Sequence, residues 1–154
     1  MTKVLGFTGS RLFNPLRFPV QHIAFGVAIA DFGLEFTEFH HGDCQGADVY
    51  FQRRIMEIYN GLDIKFVLHP PHTPSLRAYA SKEFGPEHCY MVLPEKTYLD
   101  RNKDIVAACD HLLAIPIGPE ISRSGTWSTI RHARRLRKPI TIITDCGTIT
   151  KENQ

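Results

Sequence analysis

The chain has 154 residues, 43% of them hydrophobic and 22% charged, which excludes the low-hydrophobicity, high-charge regime of disordered chains and fits one core better than two. Its formal net charge of +2 excludes a whole-molecule field strong enough to capture nucleic acid, so that only a local patch needs consideration. Residues 1–154 therefore read as a single domain.

A first strand is expected over Val4 to Thr8, an apolar run that stops at Gly9-Ser10. A helix follows, with Pro19 at its first position, Ile23, Val27 and Ala30 as its apolar stripe and Gly33 as its close. Phe36 and Phe39 suggest a second strand within Glu35 to His41. The next helix begins near Gly46-Ala47, carries Ala47, Phe51, Ile55 and Ile58 at spacings of three and four, and ends at Asn60-Gly61. A third strand, Ile64 to His69, runs into His69-Pro70-Pro71-His72, which no regular element can continue.

Residues 73–97 are expected to hold a short helix near Leu76 to Phe84 and an extended piece around Cys89 to Leu93. Helix returns from about Leu99 to Cys109, and a strand follows over Leu112 to Ile117. Trp127, Ile130 and Ala133 mark one face of a last helix, and Pro139 leads into the strand Ile140 to Thr144. This alternation predicts an α/β fold: a three-layer, Rossmann-like sandwich with a mainly parallel sheet of about five or more strands. Ligands in such folds collect at the carboxyl ends of the strands.

Cys44, Cys89, Cys109 and Cys146 are widely separated and form no C-x-x-C pair, so free thiols are expected. MTKVLGFTGSR offers no apolar stretch long enough for a signal peptide or membrane span, so a cytoplasmic protein is expected.

Three segments combine glycine with hydroxyl or charged groups at predicted turns: Gly6 to Arg11, His41 to Asp48, and Ser122 to Trp127. Glycine lets the backbone approach a ligand or take positive φ, and the free amides of a helix N-terminus favour an anion. Structural turns use the same residues, so the signal lies in three such turns at one sheet edge. Neither G-x-x-x-x-G-K-[ST] nor G-x-G-x-x-G is present, which argues against a P-loop ATPase and an ordinary dinucleotide dehydrogenase.

Together, GFTGSR, HGDCQGAD, Arg101-Asn102 and SGTW resemble the SLOG superfamily, which groups the Lonely Guy phosphoribohydrolases with the DNA-processing protein A fold. The likeness is nearest to small bacterial and phage members and runs from Gly6 to about Ile143. It implies a Rossmann-like domain that binds a nucleotide or nucleotide-derived ligand, commonly as a homodimer, with no separate cofactor. Carried over by residue, it places Gly9, Ser10 and Arg11 at the ligand's entrance and makes a second wall of Gly42, Gly46, Ala47 and Asp48, with Asp43 in the same turn a further candidate for binding. Ser124, Gly125 and Thr126 would cradle phosphate, with Arg101 and Asn102 nearby. Lonely Guy enzymes carry a glutamate where this chain has Thr129, which cannot stabilise positive charge on a sugar or activate water. A hydrolase would therefore need Asp48 or Asp43 as its carboxylate, with Arg101 beside it; for Asp48, a helix-dipole role is an equal reading.

The remaining signals have plainer readings. His40-His41 and His69-x-x-His72 lack the preorganisation of H-E-x-x-H, so no metal site is expected, although His41 stands close enough to the second turn to reach a ligand. Cys44 precedes a helix N-terminus, but a phosphatase-like loop would need arginine where Tyr50 stands. Arg131, Arg134, Arg135 and Lys138 either complement the last helix's dipole or form a nucleic-acid stripe. Trp127 suits core packing better than base stacking. Three functions thus stand open: nucleotide binding, hydrolysis of a nucleotide's N-glycosidic or phosphate bond, and nucleic-acid binding through the last helix.

Overall fold

The computed structural model describes residues 2–121 and 123–154; Ser122, named above in the third turn, lies outside them. The described residues form a seven-stranded sheet from β1 (Val4–Gly9), β2 (Glu38–His41), β3 (Lys65–Leu68), β4 (Met91–Val92), β5 (His111–Ile115), β6 (Ile140–Ile143) and β7 (Ile149–Glu152). The strand order is β4-β3-β2-β1-β5-β6-β7, parallel except for the β6–β7 pair. Helices α1 (Pro19–Phe32), α2 (Ala47–Ile58), α3 (Ala80–Phe84), α4 (Tyr98–Ala108) and α5 (Gly125–Arg135) complete an α/β, Rossmann-like architecture.

Each side of the sheet buries its own apolar cluster. On one side Phe7 of β1 stacks on Phe51 of α2 with centroids 4.2 Å apart, and Phe25 of α1 meets both rings edge-on. Burying each ring contributes about 2–3 kcal/mol by area. On the other side Val106 of α4 and Trp127, Ile130 and Ala133 of α5 pack against Leu112, Ile140 and Ile142. Gly6 lets α4 approach the sheet, because a Cβ there would stand 2.8 Å from that of Cys109.

Several expectations need correction. The stripe expected to bury α1 faces outward: Ile23 and Val27 are 67% and 58% exposed, while Gln21, Ala24, Phe25, Ala28 and Ile29 face the core. The helix is apolar on nearly every side, so the spacing of its β-branched residues does not identify the core face. The second strand begins at Glu38, with Phe36 buried ahead of it. The helix expected near Leu76 to Phe84 divides into a 3₁₀ turn, Pro74–Leu76, and α3. Ile58 is exposed where α2 ends. Finally, Gly147 at φ +85° turns the chain after β6 into β7, an antiparallel edge strand beyond the last expected element.

Candidate functional site

β1 lies between β2 and β5, so the chain leaves β1 and β5 toward opposite sides and a crevice opens at their carboxyl ends. A cleft of about 820 Å³ occupies this crevice. Its walls are Gly9, Ser10, Arg11 and Leu12 after β1, Ile117 after β5, and Arg123 to Thr126 with Ser128 at the start of α5. Gln45, Leu76, Tyr98 and Leu99 close the remaining side.

The first turn is fixed by the backbone of its neighbours. Ser10 N–H donates to Ile115 O (3.3 Å), and Ser10 O accepts from Ala47 N–H (3.1 Å). The Ser10 hydroxyl accepts from Leu12 N–H (3.1 Å). A Cβ at Gly9 would sit 2.5 Å from that of Ala47, and one at Gly46, where φ is +84°, would sit 2.2 Å from Arg11 O. These glycines lock the first two turns together. Ala47 stands behind Gly9, and Gly46 borders a neighbouring depression beside Tyr50 and His22.

The second turn spends its polar groups on itself. Asp43, at φ +51°, accepts from Ala80 N–H (2.8 Å) and Arg77 Nε (3.0 Å), while its own N–H donates to His41 Nδ1 (3.0 Å). Cys44 N–H donates to Asp48 Oδ2 (3.1 Å), and Gln45 N–H to Leu76 O (3.0 Å). Buried Arg101 donates to Gly42 O, to His69 O (3.3 Å) and to Cys44 Sγ (3.3 Å), and its guanidinium stacks 4.4 Å from the Tyr98 ring centroid. A Cβ at Gly42 would fall 1.6 Å from Arg101 Nη1, so this glycine makes room for the arginine.

Gly42, Asp43, Asp48, Arg101 and Asn102 therefore do not line the cleft. Asn102 is buried on α4 next to Arg101. The Asp48 carboxyl is pushed up by burial, against the pull of His41 and Arg101. Burial likewise raises the Cys44 thiol to about 11, which keeps it protonated at neutral pH and unsuited to nucleophilic attack. His41 is also committed: its Nε2 meets Gln52 Oε1 at 2.6 Å.

The third turn is more open. Ser124 caps α5 by accepting from Trp127 N–H (3.3 Å), and Thr129 donates to Gly125 O (2.9 Å). Among the described residues, the Gly125 and Thr126 amides have no hydrogen-bond partner, and both residues border the cleft. Gly125 lies beneath Tyr98, where a Cβ would stand 2.8 Å from the ring. Trp127 packs into the core, with Nε1 donating to Gly118 O (3.4 Å).

The electrostatics of the cleft have one sign. Arg11 and Arg123 line it, no carboxylate does, and among the described residues neither arginine forms an ion pair. Sequence reasoning did not place Tyr98, Leu99 and Leu76 here, whereas Gln45 belongs to the His41 to Asp48 turn. Tyr98 had a local signal, an aromatic residue directly after the helix-capping Thr97, which accepts from Asp100 N–H.

Elsewhere, polar groups form closed arrangements. His40 Nδ1 meets His69 Nε2 at 2.8 Å and its Nε2 meets Glu38 at 2.6 Å; burial lowers His69 to about 3. No cluster of three potential metal ligands occurs among the described residues. On α5, Arg131 pairs with Glu120 (2.9 Å), and Arg134 pairs with Glu120 (3.0 Å) and Glu152 (2.8 Å). Lys138 donates to Cys109 O (2.8 Å). Much of the expected basic stripe is thus neutralised or engaged. No helix among the described residues is long and apolar enough to cross a membrane.

No protein-family model and no curated protein matches the chain. Among solved structures, the molybdenum cofactor binding protein from the phototrophic bacterium Rippkaea orientalis shares the fold, with a TM-score of 0.60, 18% identity, and coverage of 94% of this chain and 77% of that one. TM1055, a structural-genomics target, aligns with a TM-score of 0.57, 17% identity, and coverage of 90% of this chain and 72% of its own.

Proposed function

We propose that the chain is a SLOG-type domain that binds a nucleotide or nucleotide-derived ligand, with its phosphate on the first turn of α5. The observation that carries this reading is the cleft at the β1–β5 crevice, which presents Arg11 and Arg123 without an opposing carboxylate. An anionic group there gains from both guanidiniums and from the positive end of α5. Leu12, Leu76, Leu99 and Tyr98 supply the apolar wall that a heterocyclic base needs. Ligand binding by the Rippkaea orientalis protein, which has the same fold, supports the assignment and adds the molybdenum cofactor to the candidates.

Bond cleavage is not part of this proposal. Asp43 and Asp48 are turned into the second loop, and Thr129 spends its hydroxyl on the α5 backbone. The test is calorimetry with nucleoside mono- and diphosphates, ADP-ribose and the molybdenum cofactor. We expect saturable binding of at least one, lost in Gly125→Asp, which adds a negative charge beneath Tyr98. No binding across the panel, or equal binding by Gly125→Asp, would reject the assignment.

A further inference from the structure

A second depression, of about 620 Å³, lies across the β1–α1 turn from the cleft. Ser10 to Leu12 border the cleft, Phe13 to Pro15 border the depression, and Gln45 lines both. Gln45 is exposed and, among the described residues, its side-chain amide has no partner. A molecule seated in the cleft can therefore enter the depression by passing over this one residue.

The two spaces differ in charge. Arg11 and Arg123 line the cleft unopposed, whereas each arginine of the depression has its own glutamate: Arg53 pairs with Glu83, and Arg54 pairs with Glu57 at 2.8 Å. Charge so balanced offers little to a second phosphate and leaves hydrogen bonding to select what enters.

Hydrogen-bonding capacity is left over there. Arg54 Nε is buried and has no partner, although buried donors in folded proteins are nearly always satisfied. Nearby, the Tyr50 hydroxyl meets His22 Nδ1 at 2.7 Å, a contact that ties α2 to α1. Burial raises this hydroxyl to about 12, against the pull of Arg54, so it keeps its proton. Pro15 and Val49 add apolar surface. The depression thus has the size of a small-molecule pocket and an orphan donor that a sugar hydroxyl, a ring nitrogen or a carbonyl would satisfy.

We propose that the depression is the second half of the ligand site and takes an uncharged polar unit, a ribose with its base, joined to the far side of the phosphates held in the cleft. The ligand is then a dinucleoside diphosphate or a nucleotide of the same build. Its phosphates lie between Arg11 and Arg123, one nucleoside lies against Leu76, Leu99 and Tyr98, and the other lies beyond Gln45 beside Arg54 and the Tyr50–His22 pair. This inference rests on the phosphate site proposed above.

Calorimetry with the common nucleoside diphosphates, their methyl esters and the corresponding symmetric dinucleoside diphosphates tests it. The ester and the dinucleoside compound carry equal charge, so the difference between them reads the depression alone. For the preferred base, the dinucleoside compound is expected to bind about tenfold more tightly than the ester, or better. Arg54→Met removes the orphan donor, and Val49→Trp fills the space. Each should abolish that advantage and leave the ester's affinity unchanged, with little movement of the melting temperature because both side chains are partly exposed. Equal affinity of ester and dinucleoside compound, or an advantage that survives either variant, would overturn this proposal and leave the phosphate site standing. Absence of binding by every compound would overturn the phosphate site and this proposal with it.

Discussion

The β2–α2 turn and the β5–α5 rim look alike as sequence, each a short glycine-bearing run with charged residues before a helix, yet the fold uses them oppositely. In the first, Asp48 accepts from the loop's Cys44 amide, Arg101 donates to its Gly42 carbonyl, and Asp43 is held by Ala80 N–H and Arg77, so its charge faces inward. In the second, Arg123 and the first residues of α5 face an open cleft, joined there by Arg11 from the β1 turn. A glycine-rich turn serves a ligand only where the protein leaves its amides unclaimed. Substitutions in the closed turn should therefore cost stability, and those at the open rim should cost binding.

The largest effect at neutral pH is expected at Gly42. A methyl group there displaces Arg101 from Gly42 O and leaves a buried guanidinium short of partners, so Gly42→Ala should lose roughly 3 kcal/mol or more, read as a lower denaturant midpoint. A near-wild-type midpoint would mean that Arg101 does not hold this turn.

The His40–His69 pair behind the closed turn gives a pH test. His69 has a folded value of about 3, below its ordinary 6.5, so the unfolded chain binds the proton first as pH falls. Its stabilising contribution is complete above about pH 6.5 and is lost progressively toward pH 3. At about 1.4 kcal/mol per pH unit across that interval, the loss should reach roughly 5 kcal/mol, and His69→Gln should flatten the profile. A wild-type profile as flat as the variant's would contradict the buried, neutral pair.

At the open rim, Arg11→Ala and Arg123→Ala should each weaken ligand binding about tenfold, or ~1.4 kcal/mol, without moving the melting temperature. Rising salt should weaken wild-type binding more steeply than binding by either variant. Equal salt dependence would remove both arginines from the site. The smallest effect belongs to Ser124→Ala, the exception at the rim because its hydroxyl is spent on capping α5, which should cost about 1 kcal/mol of stability, read as a lower denaturant midpoint.

The overall fold was legible because β1, β3 and β5 are largely apolar runs halted by glycine or proline, and because the α5 pattern of Trp127, Ile130 and Ala133 does mark its buried face. α1 was misread because Ile23 and Val27 stand at core-like spacing on a helix with an apolar residue at almost every position, and spacing cannot rank two apolar faces. Gly9, Ser10, Arg11, Ser124, Gly125 and Thr126 come together as their glycine and capping chemistry suggested. Asp43 and Arg101 do not join them because Ala80 and Gly42, which they meet across long sequence separations, are placed by tertiary structure that no local motif encodes, and Asp48 is taken by the Cys44 amide four residues before it.

The contrast between the closed turn and the open rim is tested most directly by titrating isotopically labelled protein with a nucleoside diphosphate while following each backbone amide by NMR. The account predicts saturable shifts at Arg11, Gly125 and Thr126, with the amides of Asp43, Cys44 and Gln45 nearly still. Shifts concentrated at 43–45, with the start of α5 unmoved, would contradict it.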